Sequence, residues 1–298
     1  MTTESAAPEA LPQLMERLRP RLHRYCARML GSVFDGEDIV QEAFAKALEA
    51  QPAAGSLQNG ERWLFTVAHN TALDALRQRK RHAEVPLDDV DVPPASAAEA
   101  EAWIAATASL ATLMQLPVIQ RSAVVMLDVL EYSLAETVEI FGSTLPAVKA
   151  AAHRGRQRLQ LLAAQRGATQ EPAHADATPH EQSLALLRSY ADAFNARDFD
   201  KLRSLLADDV KLDLVNRTRL AGSKDVAVYF TRYSARHDLR VAVGFAEARP
   251  ALLFFTTLER TDAVKYVVLL EWSDGRIRVI RDFHYADYIM DGIVTRLL

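Results

Sequence analysis

Apolar residues recur three and four positions apart through "LPQLMERLRPRLHRYCARML", "IVQEAFAKALEA" and "ERWLFTVAHNTALDALRQRKR". This spacing predicts three amphipathic helices, a helical domain over residues 9–82. The next stretch, "HAEVPLDDVDVPPASAAEAEA", carries three prolines and a cluster of acids, too polar to build a core. Residues 83–97 therefore read as an acidic linker. Helical spacing returns in "AWIAATASLATLMQL" and "PVIQRSAVVMLDVL" and runs to Ala164, which predicts a second helical domain over 98–166. "QRGATQEPAHADATPHE" loses all periodicity, so 167–181 read as another linker.

From residue 182 the texture changes. "QSLALLRSYADAFNARDFDKLRSLL" predicts two helices broken near Asn195 to Asp198, and "VKLDLV", "LRVAVGF", "ALLFFTTLE", "VKYVVLLEW" and "RIRVIRDFHY" alternate or run apolar as strands do. The short connections "RTDA" and "SDG" are hairpin turns, which makes the last three strands an antiparallel meander. The expected fold is multidomain: two all-α domains followed by an α+β domain over 182–298.

Within the second helical domain, "YSLAETVEIFGSTLPAVKAAAHRGRQRLQLL" has the punctuation of a helix-turn-helix. Ser133 and Glu136 form a capping box, Gly142 suits the position after a helix end, and Pro146 suits the first turn of the next helix. On that second helix Val148, Ala151, Ala152, Leu159 and Leu162 share a stripe, while Lys149, His153 and Arg156, flanked by Arg154 and Arg158, lie opposite. Such a helix fits the major groove, with cations for phosphates and base edges. A solvated basic helix end would carry the same pattern.

A second cationic run, Arg77, Arg79, Lys80 and Arg81, ends the helix that opens with Trp63, Phe65, His69 and Asn70. Stacking and hydrogen-bonding groups beside cations suit unstacked bases, although Trp63 and Phe65 are also ordinary core residues. The octet "DGEDIVQE" places Asp35 as a helix cap, Glu37 and Asp38 in the first turn, and Glu42 four residues before Lys46. Val40, Phe44 and Leu48 turn inward on this reading. Asp38, Gln41 and Glu42 remain as an acidic face that fits a basic partner.

The net charge of -4 over 298 residues means that any DNA contact comes from local basic clusters rather than bulk attraction. The single cysteine, Cys26, forms no internal disulfide and belongs to no metal-ligand set, so no metal or cofactor is expected and a cytoplasmic location fits. No apolar run approaches the roughly 20 residues of a membrane helix, and no membrane partner is expected.

The order of "DGEDIVQEAFAKAL", "WLFTVAHNTALDALRQRKR", an acidic linker, "LPVIQRSAVVMLDVLEYSLAETVEIFG" and "STLPAVKAAAHRGRQRL" resembles bacterial sigma factors of the extracytoplasmic-function (ECF) type. The resemblance implies that residues 9–82 are sigma region 2 and 98–166 region 4, with RNA polymerase core (clamp helices and flap) and promoter DNA, duplex and single-stranded, as partners. It assigns Asp38, Gln41 and Glu42 to the polymerase and Asn70, within the Trp63, His69, Arg77, Arg79, Lys80 and Arg81 neighbourhood, to a flipped base of the downstream element. Lys149, His153, Arg154 and Arg156 fall to the upstream element, and the linker to the polymerase channel. Ala150 and Ala151 replace residues that are polar in the family, which implies thinner base readout.

Residues 182–298 resemble the SnoaL-like cone, on "YADAFNARDFDKLRSLLADDVKL", "GSKDVAVYF" and the final strands. In sigma factors so extended, the appended domain contacts the sigma core and tunes it. The chain is then a non-enzymatic initiation factor. Tyr266, Trp272, Asp282 and His284 are candidate pocket residues, because Asp282 and His284 share strand parity with Ile280. Two other readings stay open: a cyclase or isomerase with a DNA-binding appendage, and a ligand-sensing one-component regulator.

Overall fold

The computed structural model describes residues 9–50, 59–82, 110–166, 181–247, 249–258 and 263–298. It divides into two compact units, Met1–Glu171 and Pro172–Leu298. Residues 83–109 and 167–180, which include both expected linkers, lie outside the described residues; Glu181 already belongs to a helix.

The first unit opens with α1 (Leu11–Leu30), whose Leu14, Leu18, Leu22, Tyr25 and Met29 are buried at three- and four-residue spacing. Gly31, at φ 77°, ends it and donates its N–H to the Ala27 carbonyl at 2.8 Å. Helices α2 (Val33–Ala50) and α3 (Gly60–His82) complete the first domain. Then come α4 (Leu110–Leu113), α5 (Val118–Val124), a π turn (Val125–Val129), α6 (Leu134–Phe141) and α7 (Leu145–Arg166).

The capping box forms as expected: Ser133 Oγ accepts the Glu136 N–H, and the Glu136 carboxylate accepts the Ser133 N–H at 2.9 Å. Gly142, at φ 56°, lets its own N–H reach the Glu139 carbonyl and the Ser143 N–H reach that of Val138, both at 3.2 Å. One core spans both helical domains, with Leu22, Phe44 and Phe65 packed together with Leu116, Val125, Tyr132, Ile140 and Leu159. Each such fully buried side chain is worth roughly 1.5–3 kcal/mol against exposure.

The second unit begins with α8 (Glu181–Asn195) and α9 (Phe199–Ser204), the latter capped by Asp198 accepting the Lys201 N–H at 3.0 Å. Strands β1 (Leu206–Leu214) and β2 (Thr218–Ala221), helix α10 (Ser223–Ser234), and strands β3 (Leu239–Ala246), β4 (Arg249–Thr256), β5 (Tyr266–Ser273), β6 (Arg276–Asp282) and β7 (Thr295–Leu297) follow. They make one sheet in the order β2-β1-β6-β5-β4-β3-β7. The expected β4-β5-β6 meander is present, with Leu253 opposite Val267 and Leu270 opposite Ile280. Sequence did not predict the parallel pairing of β1 with β6, nor the short strands β2 and β7. Tyr190 and Phe194 of α8 and Val226, Tyr229, Phe230 and Tyr233 of α10 cover one face of this sheet, over Leu212, Phe254, Tyr266 and Ile280.

Candidate functional site

The acidic octet splits between core and surface. Helix α2 starts at Val33, before Asp35, and Ser32 supplies the cap by accepting the Asp35 N–H at 3.3 Å. The Asp35 carboxylate instead pairs with Arg79 of α3 at 2.8 Å. Glu37 is not a surface acid of the first turn: it is 0% exposed, ion-paired with Arg19, and accepts from Gln41 Nε2 at 3.3 Å. A buried carboxylate needs that pairing, since an isolated one would be prohibitively costly. Asp38 and Glu42 stay exposed, Gln41 is half-buried, and Glu42 meets Lys46 at 2.7 Å. Leu48 is 46% exposed and does not turn inward with Val40 and Phe44; it lies in the last turn of α2 on the solvent side.

Helix α3 presents two strips. Phe65 and His69 face inward, and Arg62 on the same strip pairs with Glu139 of α6. The His69 ring stacks on Phe141 at 4.4 Å, and its Nδ1 shares a hydrogen bond with the Tyr25 hydroxyl at 2.6 Å. Burial, helped by the charge of Arg77, lowers its pKa from 6.5 to about 4, so the ring is neutral at physiological pH. His69 thus sits within the core of this unit. Trp63, Asn70 and Arg77, seven residues apart, form the neighbouring strip; Trp63 is half-buried while Asn70 and Arg77 are exposed. Arg77 pairs with Asp74 at 2.9 Å, and Lys80 and Arg81 are exposed at the helix end.

On α7 the expected division holds. Val148, Ala151, Ala152 and Leu159 are buried, and Lys149, His153 and Arg154 are exposed on the opposite side. Ala151, 2% exposed and packed with Ala123 and Ala152, takes its place on the expected apolar stripe, so the change to alanine there removes no outward-facing contact. Arg156 makes a two-pronged bond to Asp128, Nε at 3.0 Å and Nη2 at 2.7 Å. Arg158 donates Nε to the Gln115 carbonyl at 3.2 Å.

Arg121 of α5 was not singled out from sequence. It is 2% exposed, its Nη1 donates to the Met114 sulfur, and its Nε has no partner among the described residues. Burial lowers its pKa to about 10, and among the described residues no carboxylate pairs with it. Nothing in the helical spacing distinguishes it from a surface arginine.

In the second unit Asp282 is 0% exposed, and its Oδ2 accepts from the hydroxyls of Tyr229 and Tyr233, each at 2.8 Å. Its Oδ1 accepts the His284 N–H at 2.8 Å, and the Tyr266 hydroxyl donates to that of Tyr233 at 3.0 Å. Burial raises the Asp282 pKa against these hydrogen bonds, and lowers that of His284 against the Asp282 charge. The His284 ring meets Tyr266 edge-on at 4.6 Å, so Tyr266, Asp282 and His284 do cluster. Trp272 does not join them: it lies six residues along β5, about 20 Å at ~3.3 Å per residue, and lines a separate groove with Lys211, Glu271 and Arg278. The Phe194, Tyr233, Phe254 and Tyr266 rings pack at 4.6–5.8 Å over the cluster. Tyr229 and Tyr233 were legible as an aromatic pair four apart, but nothing local tied them to a residue about fifty positions away.

Among the described residues no group of His, Cys, Asp and Glu could hold a metal ion, and no helix is long and apolar enough to cross a membrane.

Two family models match the chain: Sigma-70 region 2 over residues 14–82 and Sigma-70, region 4 over residues 109–159. The ECF RNA polymerase sigma factor SigM of Mycobacterium tuberculosis is 36% identical over 156 residues, 51% of this chain and 76% of the relative. SigG of the same species is 31% identical over 216 residues, 64% of this chain and 57% of the relative; that share exceeds what residues 1–171 hold, so the match runs into the second unit. Among solved structures, the ECF sigma factor SigJ of Mycobacterium tuberculosis is 22% identical with a TM-score of 0.35, covering 91% of this chain and 95% of that one. With two sigma regions in order and a relative matched over three quarters of its length, the chain belongs to the ECF family of RNA polymerase sigma factors.

Proposed function

We propose that this sigma factor docks on RNA polymerase core through α2, holds a flipped downstream-element base near Asn70, and reads the upstream element with α7. The observation that carries the reading is the sorting of the octet. Two of its acids, Asp35 and Glu37, turn inward to Arg79 and Arg19, while Asp38 and Glu42, the latter beside Lys46, lie exposed on one face with Gln41 between them. An acidic face on region 2 suits a basic polymerase surface, with the clamp helices as its counterpart. The Trp63, Asn70 and Arg77 strip combines stacking, amide and cationic groups, which a flipped base needs to offset a few kcal/mol of lost stacking. His69, being neutral and buried, supports that strip from behind rather than touching DNA. Lys149, His153 and Arg154 face outward from α7 for duplex DNA.

Residues 172–298 act in this reading as a regulator in the same chain and not as an enzyme. Aromatic packing over Asp282 supports that choice, because a substrate would have to displace Phe194, Tyr233, Phe254 and Tyr266. The test is core binding. Asp38→Arg should weaken binding of the full chain to purified polymerase core more than tenfold, with an unchanged unfolding midpoint. Equal affinity for both proteins would remove α2 as the docking face.

A further inference from the structure

The cations of α7 are not equivalent. Lys149, His153 and Arg154 are exposed. Arg156, although 44% exposed, has Nε and Nη2 both committed to Asp128, whose side chain is only 11% exposed. That hydrogen bond is the first cause raising the Arg156 pKa. The Nε–Nη2 edge that grips Asp128 is one of the two edges with which a guanidinium grips a phosphate or a guanine, and the carboxylate beside it offsets the charge that a phosphate would meet.

The local fold is built to bring Asp128 to that place. Asp128 lies in the π turn that follows α5, where the Leu130 N–H reaches back five residues to the Val125 carbonyl at 3.0 Å. One helical turn before Asp128, Val124 meets α7 at Gly155: a Cβ there would fall 2.7 Å from Val124 Cγ2 and 3.1 Å from the Gln120 carbonyl oxygen. The two backbones approach closely because residue 155 is glycine. Arg156, next in sequence, is thereby held beside the π turn.

We propose that Asp128 is a positioning residue for promoter recognition: by holding the Nε–Nη2 edge of Arg156 and offsetting its charge, it withdraws that cation from DNA. Duplex binding then rests on Lys149, His153 and Arg154, and α7 carries less indiscriminate phosphate affinity than its sequence implies. This rests on the reading of α7 as the DNA-facing helix.

The experiment measures how affinity of the full chain for a short mixed-sequence DNA duplex depends on salt, by fluorescence anisotropy, with circular dichroism confirming the fold of each variant. Each phosphate neutralised contributes about 0.9 to the slope of log affinity against log salt. Arg154→Gln should flatten the slope by about that amount, whereas Arg156→Gln should leave it unchanged. Asp128→Asn, which frees Arg156, should steepen the slope by a similar amount, and the Asp128→Asn, Arg156→Gln double variant should return it to the parent value. A slope flattened equally by Arg156→Gln and Arg154→Gln, or untouched by Asp128→Asn, overturns the proposal. A slope untouched by Arg154→Gln as well overturns the placement of α7 on DNA.

Discussion

At the scale of single residues, Glu37 and Asp38 show how one step along a helix separates structure from interaction. Glu37 lies in the core against Arg19, whose guanidinium also sits 4.9 Å above the Phe44 ring; Asp38 points to solvent. Removing one partner of a buried pair strands the other charge, so Glu37→Gln should cost about 3–5 kcal/mol in urea unfolding, in contrast to the unaltered stability expected of Asp38→Arg. Glu37 lies three residues before Val40 and seven before Phe44, on the inward stripe, but a charge near a helix start reads first as a dipole partner, so its burial was missed. Arg121 is the converse case, a buried cation that meets no carboxylate among the described residues. Its replacement by an uncharged side chain of similar size, Arg121→Met, should stabilise the first unit by about 1–4 kcal/mol, as found when buried ionic groups give way to apolar ones. A lowered unfolding midpoint would show that the guanidinium is better satisfied than its contacts indicate.

At the scale of elements, what the sequence predicted depended on how local the cause was. The capping box, the Gly142 turn, the break at Asn195 and the β4-β5-β6 meander all rest on neighbours within a few residues, and all formed. The β1-β6 pairing joins segments some seventy residues apart and so leaves no local signature. The elements also set opposite responses to pH. His23 on α1, whose Nε2–H donates to the Val33 carbonyl at 2.8 Å, and His69 on α3 both have folded pKa values of about 4 against 6.5 when unfolded. The fold favours their neutral forms, so their contribution is complete above pH 6.5 and is lost as pH falls toward 4. Asp282 is raised instead, so its contribution is greatest in acid and declines as pH rises through its folded pKa. Calorimetry of the full chain should show the first unit losing stability from pH 6.5 to 5, with the loss reduced in His69→Gln and His23→Gln. A first transition insensitive to pH in that window would contradict the burial argument.

At the scale of the whole molecule, the two sigma regions share one hydrophobic core in the first unit, and the second unit has its own. The linkers by which periodicity and composition divide the chain lie outside the described residues, and the shared core, which joins residues from Leu14 to Leu159, has no sequence period. On the proposed function, the second unit regulates the sigma regions of its own chain at a high effective concentration, so removing residues 172–298 should change transcript yield without abolishing initiation. The most direct test of the account is run-off transcription by purified polymerase core supplied with the full chain, on DNA selected by the reconstituted complex. The expected result is a transcript from a single start that requires the chain, is lost with Asp38→Arg, and changes in yield when residues 172–298 are removed. A chain that binds the duplex but yields no transcript with core would contradict it.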